Sequence, residues 1–528
     1  MGKRLIVLAL ALALLAGCTP RTTTEQAAEP ETLSWFVNFS WFTAGWGKNH
    51  VTQAITEETG VQVNFLTPVG DENETLDVML RQGELPDLIT LGWWLPQAGT
   101  LIEEDLVYPL NQLADELAPE FYDAADPQRL FWYTQDDGNI YGYPSASASP
   151  QAFAEGAVEP SNETFLVRKD LYEALGCPDM TTPEGFADAL RRAVETFPEV
   201  DGAPLLALGC LEFNQQGNAS LSDHLRDFLA IPREIDGQAV DYKTDADYIT
   251  WLKTFRALLE EGTLTAELLV DRRQQVQENF QQGRYFCLFY QWSDLEAQQR
   301  LRFSQDPDSA YIAVDGPKNS RGDDHTLSGV GMNGWTLTFI SKDCENPQKA
   351  MELMIFLMGE EGQQLVSLGV EGLDYTWEHG VPVRTEEADL LLRTDYAAYV
   401  ATVGADNIYW MLMDNELQSR WMLTQEPALE QIMAWGLPYT VDATPYEVSF
   451  APGSEAARID AREQRLWGET LPQLLLAESD AAFDEILAEY VAARESLGWE
   501  QLQREKERQY AANREKLNAL ADQAGGAS

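Results

Sequence analysis

The sequence predicts an α/β protein with two successive strand-and-helix blocks and a mainly helical C-terminal part. Three observations carry this. Short apolar runs alternate with helix-period segments from residue 33 onward. Hydrophobic residues make up 45% of the chain against 23% charged, which supplies a buried core. Its 528 residues exceed what one core holds, so two to four domains are expected.

Leu33–Phe39 reads as a strand, Asn49–Thr59 as a short helix stopped by Gly60, and Val61–Leu66 as a second strand with apolar alternation. Asn73–Gln82 is helical and ends at Gly83, after which Pro86 and Asp87 introduce the apolar run Leu88–Leu91. Strands alternating with helices of this length argue for βαβ units and a parallel sheet. Asp136–Asn139 is a turn signal ahead of the strand Ile140–Tyr143, and the small-residue stretch Pro144–Pro150 fits an interlobe crossing. A second block runs from Phe165–Val167 through Gln281, with helices at Pro183–Thr196 and Asp245–Glu260 and a strand at Tyr285–Tyr290. Tyr311–Val314 and Trp335–Ile340 are further strands, and Asn346–Pro347 opens the helix Pro347–Met358 with a capping residue followed by proline. Met351, Met354, Ile355 and Met358 share one stripe of that helix, which core packing explains better than a cofactor box. Beyond Asp389 the chain is mainly helical, and Ser479 caps a helix carrying Phe483, Ile486, Leu487, Tyr490 and Val491 at helical spacing.

The N-terminus carries a specific local signal. Lys3 and Arg4 precede the apolar run Leu5–Ala16, and Leu15-Ala16-Gly17-Cys18 closes it with small residues before a cysteine. At 1.5 Å per residue the run is too short for ~30 Å of hydrocarbon, so it reads as a cleaved signal peptide over residues 1–17. It resembles a bacterial lipobox, which implies cleavage before Cys18 and lipidation (palmitate) of that sulfur. Residues 18–31, rich in Thr, Ala, Glu and Pro, fit a flexible linker. The expectation is a soluble body anchored by lipid to the outer face of a cell membrane. The remaining Cys177, Cys210, Cys287 and Cys344 are expected to be mostly free, partly buried thiols.

Charge and motifs exclude several functions. With 36 basic and 86 acidic residues the net charge is −50, which repels nucleic acid and anionic bilayers. The histidines His50, His224, His325 and His379 stand far apart and no CxxC occurs, so there is no zinc motif and no cofactor is expected. Gly329-Val-Gly-Met-Asn-Gly334 matches a dinucleotide pattern, but a strand follows it where a helix N-terminus would have to receive the pyrophosphate. No GxxxxGK, GxSxG or HExxH is present.

The informative constellation is where the tryptophans fall. Trp41 and Trp46 follow the first strand, Trp93 and Trp94 follow the third, and Trp292 follows Tyr285–Tyr290. Ligands of open α/β sheets bind beyond the carboxyl ends of strands, and aromatic faces suit the C–H patches of sugar rings. Core packing is the competing account of each ring. Stacking contributes roughly 0.5–1.5 kcal/mol per ring, so three give about 4 kcal/mol, near millimolar affinity, and polar clamps must supply the rest.

Several segments then carry a family resemblance: Glu58–Phe65, Leu80–Ile89, Gly138–Pro144, Leu166–Leu171, Ile340–Ala350 and Glu371–Trp377, in order behind the lipobox. The chain resembles a family 1 extracellular solute-binding lipoprotein of a carbohydrate ABC transporter, similar in plan to maltodextrin-binding proteins but longer. The resemblance implies a two-lobed periplasmic-binding-protein type II (venus-flytrap) fold, with residues 32–144 and 308–358 in one lobe and 145–307 and 359–528 in the other. It implies a monomer that binds an oligosaccharide and hands it to permease subunits without catalysis. The ligand would rest on Trp41 or Trp46, Trp93 or Trp94, and Trp292, with Asp87, Glu371 and Tyr375 as polar contacts. Ligand bridging both lobes would favour their closure. A surface glycoside hydrolase or lyase, or a binder of a non-sugar solute, are the rival readings.

Overall fold

The structure, a computed structural model, describes residues 29–526 apart from Asp71, Asp201, residues 406–410, Met422 and Thr424. The signal-peptide and lipidation expectations, Cys18 included, lie outside the described residues.

Two sheets organise the chain. Their strands, in chain order, are β1 (Glu31–Val37), β2 (Val61–Leu66), β3 (Leu88–Gly92), β4 (Gly142–Pro144), β5 (Glu163–Arg168), β6 (Leu206–Cys210), β7 (Tyr285–Gln291), β8 (Tyr311–Ala313) and β9 (Thr336–Ile340). The first sheet runs β2-β1-β3-β9-β4 and the second β8-β5-β7-β6. In the first, β1 is parallel to β2 and β3, as the βαβ pattern predicts, while β9 is antiparallel to β3 and β4. In the second, β7 is parallel to β6 but antiparallel to β5. Strands β3, β5, β6 and β9 are buried at every position, in keeping with their mainly apolar runs, and the polar residues they carry, such as Thr90, Thr164 and Thr338, are buried with them.

Local signals set many element ends. The Asn49 side chain accepts from the Thr52 amide at 2.9 Å and starts the helix His50–Thr59. Gly60 ends it at φ 67°, a left-handed conformation that favours glycine. Thr182 and Asn346 cap the helices Pro183–Thr196 and Pro347–Met358 in the same way. Met351, Met354 and Met358 are buried in the first core, as the packing account of the stripe requires.

The first core joins Leu33, Trp35 and Val37 to Ile55, Met354, Val366, Tyr399 and Met413. The second joins Phe165, Val167 and Phe289 to Trp251, Trp467, Leu471 and Tyr490. These contacts redraw the expected lobe boundaries. Tyr311–Ala313 pairs with β5, so the chain returns to the first sheet only at β9 and not at residue 308. Segments between residues 359 and 413 complete the first core, not the second, because the helices Glu360–Leu368, Glu386–Thr394 and Tyr396–Thr402 lay Val366, Leu392 and Tyr399 against it.

The helices Glu455–Leu475 and Asp480–Leu497 cover the second lobe. Buried charges fasten them: Lys243 donates to Glu463 at 2.7 Å, Tyr490 donates to the same carboxylate, and Arg494 pairs with Asp241. Burial pulls the Lys243 ammonium down; it also penalises the Glu463 carboxylate, but Lys243 outweighs this and holds that carboxyl below its ordinary range. The last helix, Trp499–Gly526, reaches both lobes. Its Glu507 accepts from the Ala239 amide at 3.1 Å, its Lys516 donates to the Trp132 carbonyl, and Leu520 packs on Trp132 and Met332.

Cys177 is exposed and Cys210, Cys287 and Cys344 are buried, all four free. Burial pushes the Cys210 and Cys344 thiols up to about 12. No helix among the described residues is long and apolar enough to cross a membrane.

Candidate functional site between the lobes

Strand direction decides what gathers at one edge of the first sheet. β1 and β3 end there, and β9, running the other way, begins there, since Thr336 pairs with Gly92. The residues just beyond these ends are Trp41, Trp93 and Trp94, and the residue just before β9 is Trp335. Trp41, 37% exposed, stacks on Trp335 with ring centroids 6.1 Å apart and planes 2° from parallel. Phe39 lies 5.3 Å from Trp41 and 5.5 Å from Trp335. The second lobe meets this platform: the guanidinium of Arg273 stands 5.4 Å from the centre of the Trp41 ring. Arg273 is held by Asp294 at 2.5 Å. Burial pushes the Asp294 carboxyl up, opposed by Arg273.

The other predicted residues divide by position. Trp94, 44% exposed, meets Trp93 edge-on at 6.0 Å and folds back over β3, where a Cβ at Gly92 would lie 2.5 Å from its ring. Trp93 packs on the sheet's second apolar face with Leu91 and Leu337. Trp46 donates to Thr56 Oγ1 at 2.9 Å and rests 5.8 Å from Phe65, so it braces the neighbouring helix. Asp87 is at the opposite, amino end of β3, accepting from the Ser34 amide at 2.7 Å and the Ser34 hydroxyl at 2.6 Å; it ties β1 to β3 there.

Trp292, directly after β7, donates to the Ser161 carbonyl at 3.1 Å and lines a cavity of about 420 Å³. That volume lies within the ~300–1,000 Å³ of small-molecule sites. Glu159, Trp292, Glu296 and Arg300 contribute from the second lobe, and Leu368, Arg384 and Trp421 from segments associated with the first. Tyr375 starts the hairpin β10 (Tyr375–Glu378) and β11 (Val381–Arg384), and is buried against three of the cavity's neighbours, Leu368, Trp421 and Leu423. Glu371 is exposed just before it and bridges to it through the backbone. Among the described residues no group of three His, Cys, Asp or Glu could hold a metal ion.

Sequence reading missed Trp335, Arg273, Arg384 and Trp421. Trp335 was legible in principle: a residue preceding an antiparallel strand lies at the same edge as residues following the parallel ones. The other three come from segments whose approach only the tertiary fold creates.

Two α/β lobes with aromatic side chains lining the gap between them define a two-lobed binding protein. Residues 50–373 match the family model described as bacterial extracellular solute-binding protein, and the chain belongs to that family. No curated protein matches the chain. Solved structures share the fold at low identity. An alginate-binding protein, AlgQ2, in its form without calcium ion, is 17% identical with a TM-score of 0.67, covering 92% of this chain and 98% of its own. An HMO-binding, ABC-transporter-associated solute-binding protein from Bifidobacterium longum infantis is 13% identical with a TM-score of 0.66, covering 91% and 98%. The S. pneumoniae ABC-transporter substrate-binding protein FusA, in complex with kestose, is 16% identical with a TM-score of 0.65, covering 92% and 99%.

Proposed function

We propose that this protein captures an oligosaccharide between its lobes and delivers it to an ABC importer, working as a monomer anchored by lipid at Cys18 outside the cytoplasm and leaving the sugar chemically unchanged. The observation that carries the reading is the stacked Trp41–Trp335 platform faced by Arg273 from the other lobe. A sugar ring stacking on Trp41 exchanges places with the guanidinium, and Arg273 and Asp294 then turn their hydrogen-bonding capacity to its hydroxyls. A ligand that touches both lobes stabilises the form in which they approach. The structures of similar fold that bind alginate, HMO and kestose support a carbohydrate ligand over other solutes.

Calorimetric and tryptophan-fluorescence titration of the purified protein with a panel of oligosaccharides tests this. One class of glycan should bind, quench or shift the emission, raise the melting temperature and be recovered intact. Trp41→Ala should weaken that binding by about 1.4 kcal/mol, roughly tenfold, by removing one stacking surface. A panel without any binder, or release of new reducing ends, overturns the reading.

A further inference from the structure

The cavity beside Trp292 differs from the platform in its charges. Four charged side chains line it: Glu159, Glu296, Arg300 and Arg384. Two are accounted for by each other, since Arg300 donates to Glu296 at 2.6 Å and also approaches Glu426 at 3.4 Å. Arg384 differs in having no ion pair among the described residues, and its Nε is buried without a hydrogen-bond partner. Arg81, Arg462 and Arg465 also lack an ion pair among the described residues but are exposed to water, whereas Arg384 is half-buried in the cavity wall. A guanidinium left unpaired in a partly buried site loses hydration without compensation, a cost that a matching anion removes.

The rest of the wall says what kind of anion. Trp292 and Trp421 give it aromatic surface, and Asn415 and Gln418 add amides that suit hydroxyl groups. Glu159 opens onto the same space, and crowding by protein pushes its carboxyl above the ordinary range. It does not pair with Arg384. A dianion such as phosphate would face Glu159 and the field of a chain at −50, whereas a monoanionic carboxylate matches the arginine fork two atoms to two.

We propose that Arg384 anchors a carboxylate of the bound sugar, so that the ligand is an oligosaccharide whose residue in this cavity is a uronic or other carboxylated sugar. The inference rests on the oligosaccharide reading above and narrows it to one substrate class. Hydroxyls of the same residue are met by Glu159 and the neighbouring amides.

An array of matched neutral and carboxylated oligosaccharides, probed with the purified protein and with Arg384→Gln and Arg384→Lys, tests it, with calorimetry on the retained glycan. Wild type should retain a carboxylated glycan. Arg384→Gln should weaken it roughly ten- to a hundredfold, with part of the loss restored in Arg384→Lys. The methyl ester of the same glycan should bind wild type as poorly as the acid binds Arg384→Gln, an arm that stands even if the variants fold badly. Retention of neutral glycans alone, or of an acid whose affinity ignores both Arg384→Gln and esterification, overturns the inference and leaves sugar capture standing. Retention of no glycan, or binding of trialanine instead, overturns both.

Discussion

Each lobe has a helical layer laid over its sheet, and the two layers differ in how deeply their charge pairs are buried, Lys243–Glu463 on the second lobe being enclosed at both ends. On the first, Val366, Leu392 and Tyr399 join an apolar core with Trp35 and Met354, and the ion pairs His50–Asp374 and Arg129–Asp414 each keep one partner partly exposed. On the second, apolar packing through Trp467, Leu471 and Phe483 is supplemented by the buried pairs Lys243–Glu463 and Arg494–Asp241. The cleft walls differ in parallel fashion. The first lobe offers a stacked aromatic platform, while the second offers Arg273–Asp294 and most of the charged lining of the cavity. An apolar layer tolerates small changes of volume at modest cost, whereas a buried charge stranded by loss of its partner is strongly destabilising. The second lobe should therefore be the more sensitive to single polar substitutions.

The largest expected effect tests this contrast directly. Glu463→Gln strands the Lys243 ammonium beneath the C-terminal helices and should cost about 3 kcal/mol, read as a lowered denaturation midpoint. A loss below 1 kcal/mol would show that the charge pairs do not distinguish the layers. Next comes the joint between the lobes. Glu447 accepts from Asn333 Nδ2 at 2.7 Å, and its carboxyl is pushed from 4.5 to about 7, by burial first and by Asp442 as well, with the Asn333 bond opposing. Between these values the folded chain holds a proton that the unfolded chain has released. This group's contribution is thus fully present below 4.5 and is lost as pH rises through about 7, on the order of 3 kcal/mol. Melting temperature should fall over that window in wild type and fall less in Glu447→Gln; equal slopes would remove the group from the account. The smallest effect separates two neighbouring tryptophans. Trp46→Phe loses the bond to Thr56 and should cost about 1 kcal/mol of stability with ligand affinity unchanged, the reverse of Trp41→Ala.

Much of the fold was legible because its determinants are local. Val61–Leu66, Pro183–Thr196 and Pro347–Met358 have the bounds their caps, stops and periodicity predict. Lobe membership was not legible. Whether Tyr311 pairs with β5 or with the first sheet, and which core Tyr399 enters, depends on contacts between residues far apart in sequence. The platform shows the same division. Trp41, Trp93 and Trp94 were placed at strand ends by reading along the chain, but Trp335 required knowing that β9 runs antiparallel. Arg384 and Trp421 reach the cavity from a hairpin and a short helical turn, and no local pattern announces that they meet Trp292.

The helix Trp499–Gly526, 28 residues and so roughly 40 Å long, is fastened near Ala239 on one bank of the cleft and at Trp132 on the other. A rod pinned at both banks acts as a splint. Any swing that parts the sheets must free the rod from one bank, bend it or pivot about its line, so the amplitude of opening is metered by Glu507 and Arg514 on one side and Lys516 and Leu520 on the other, and not by the crossing segments alone.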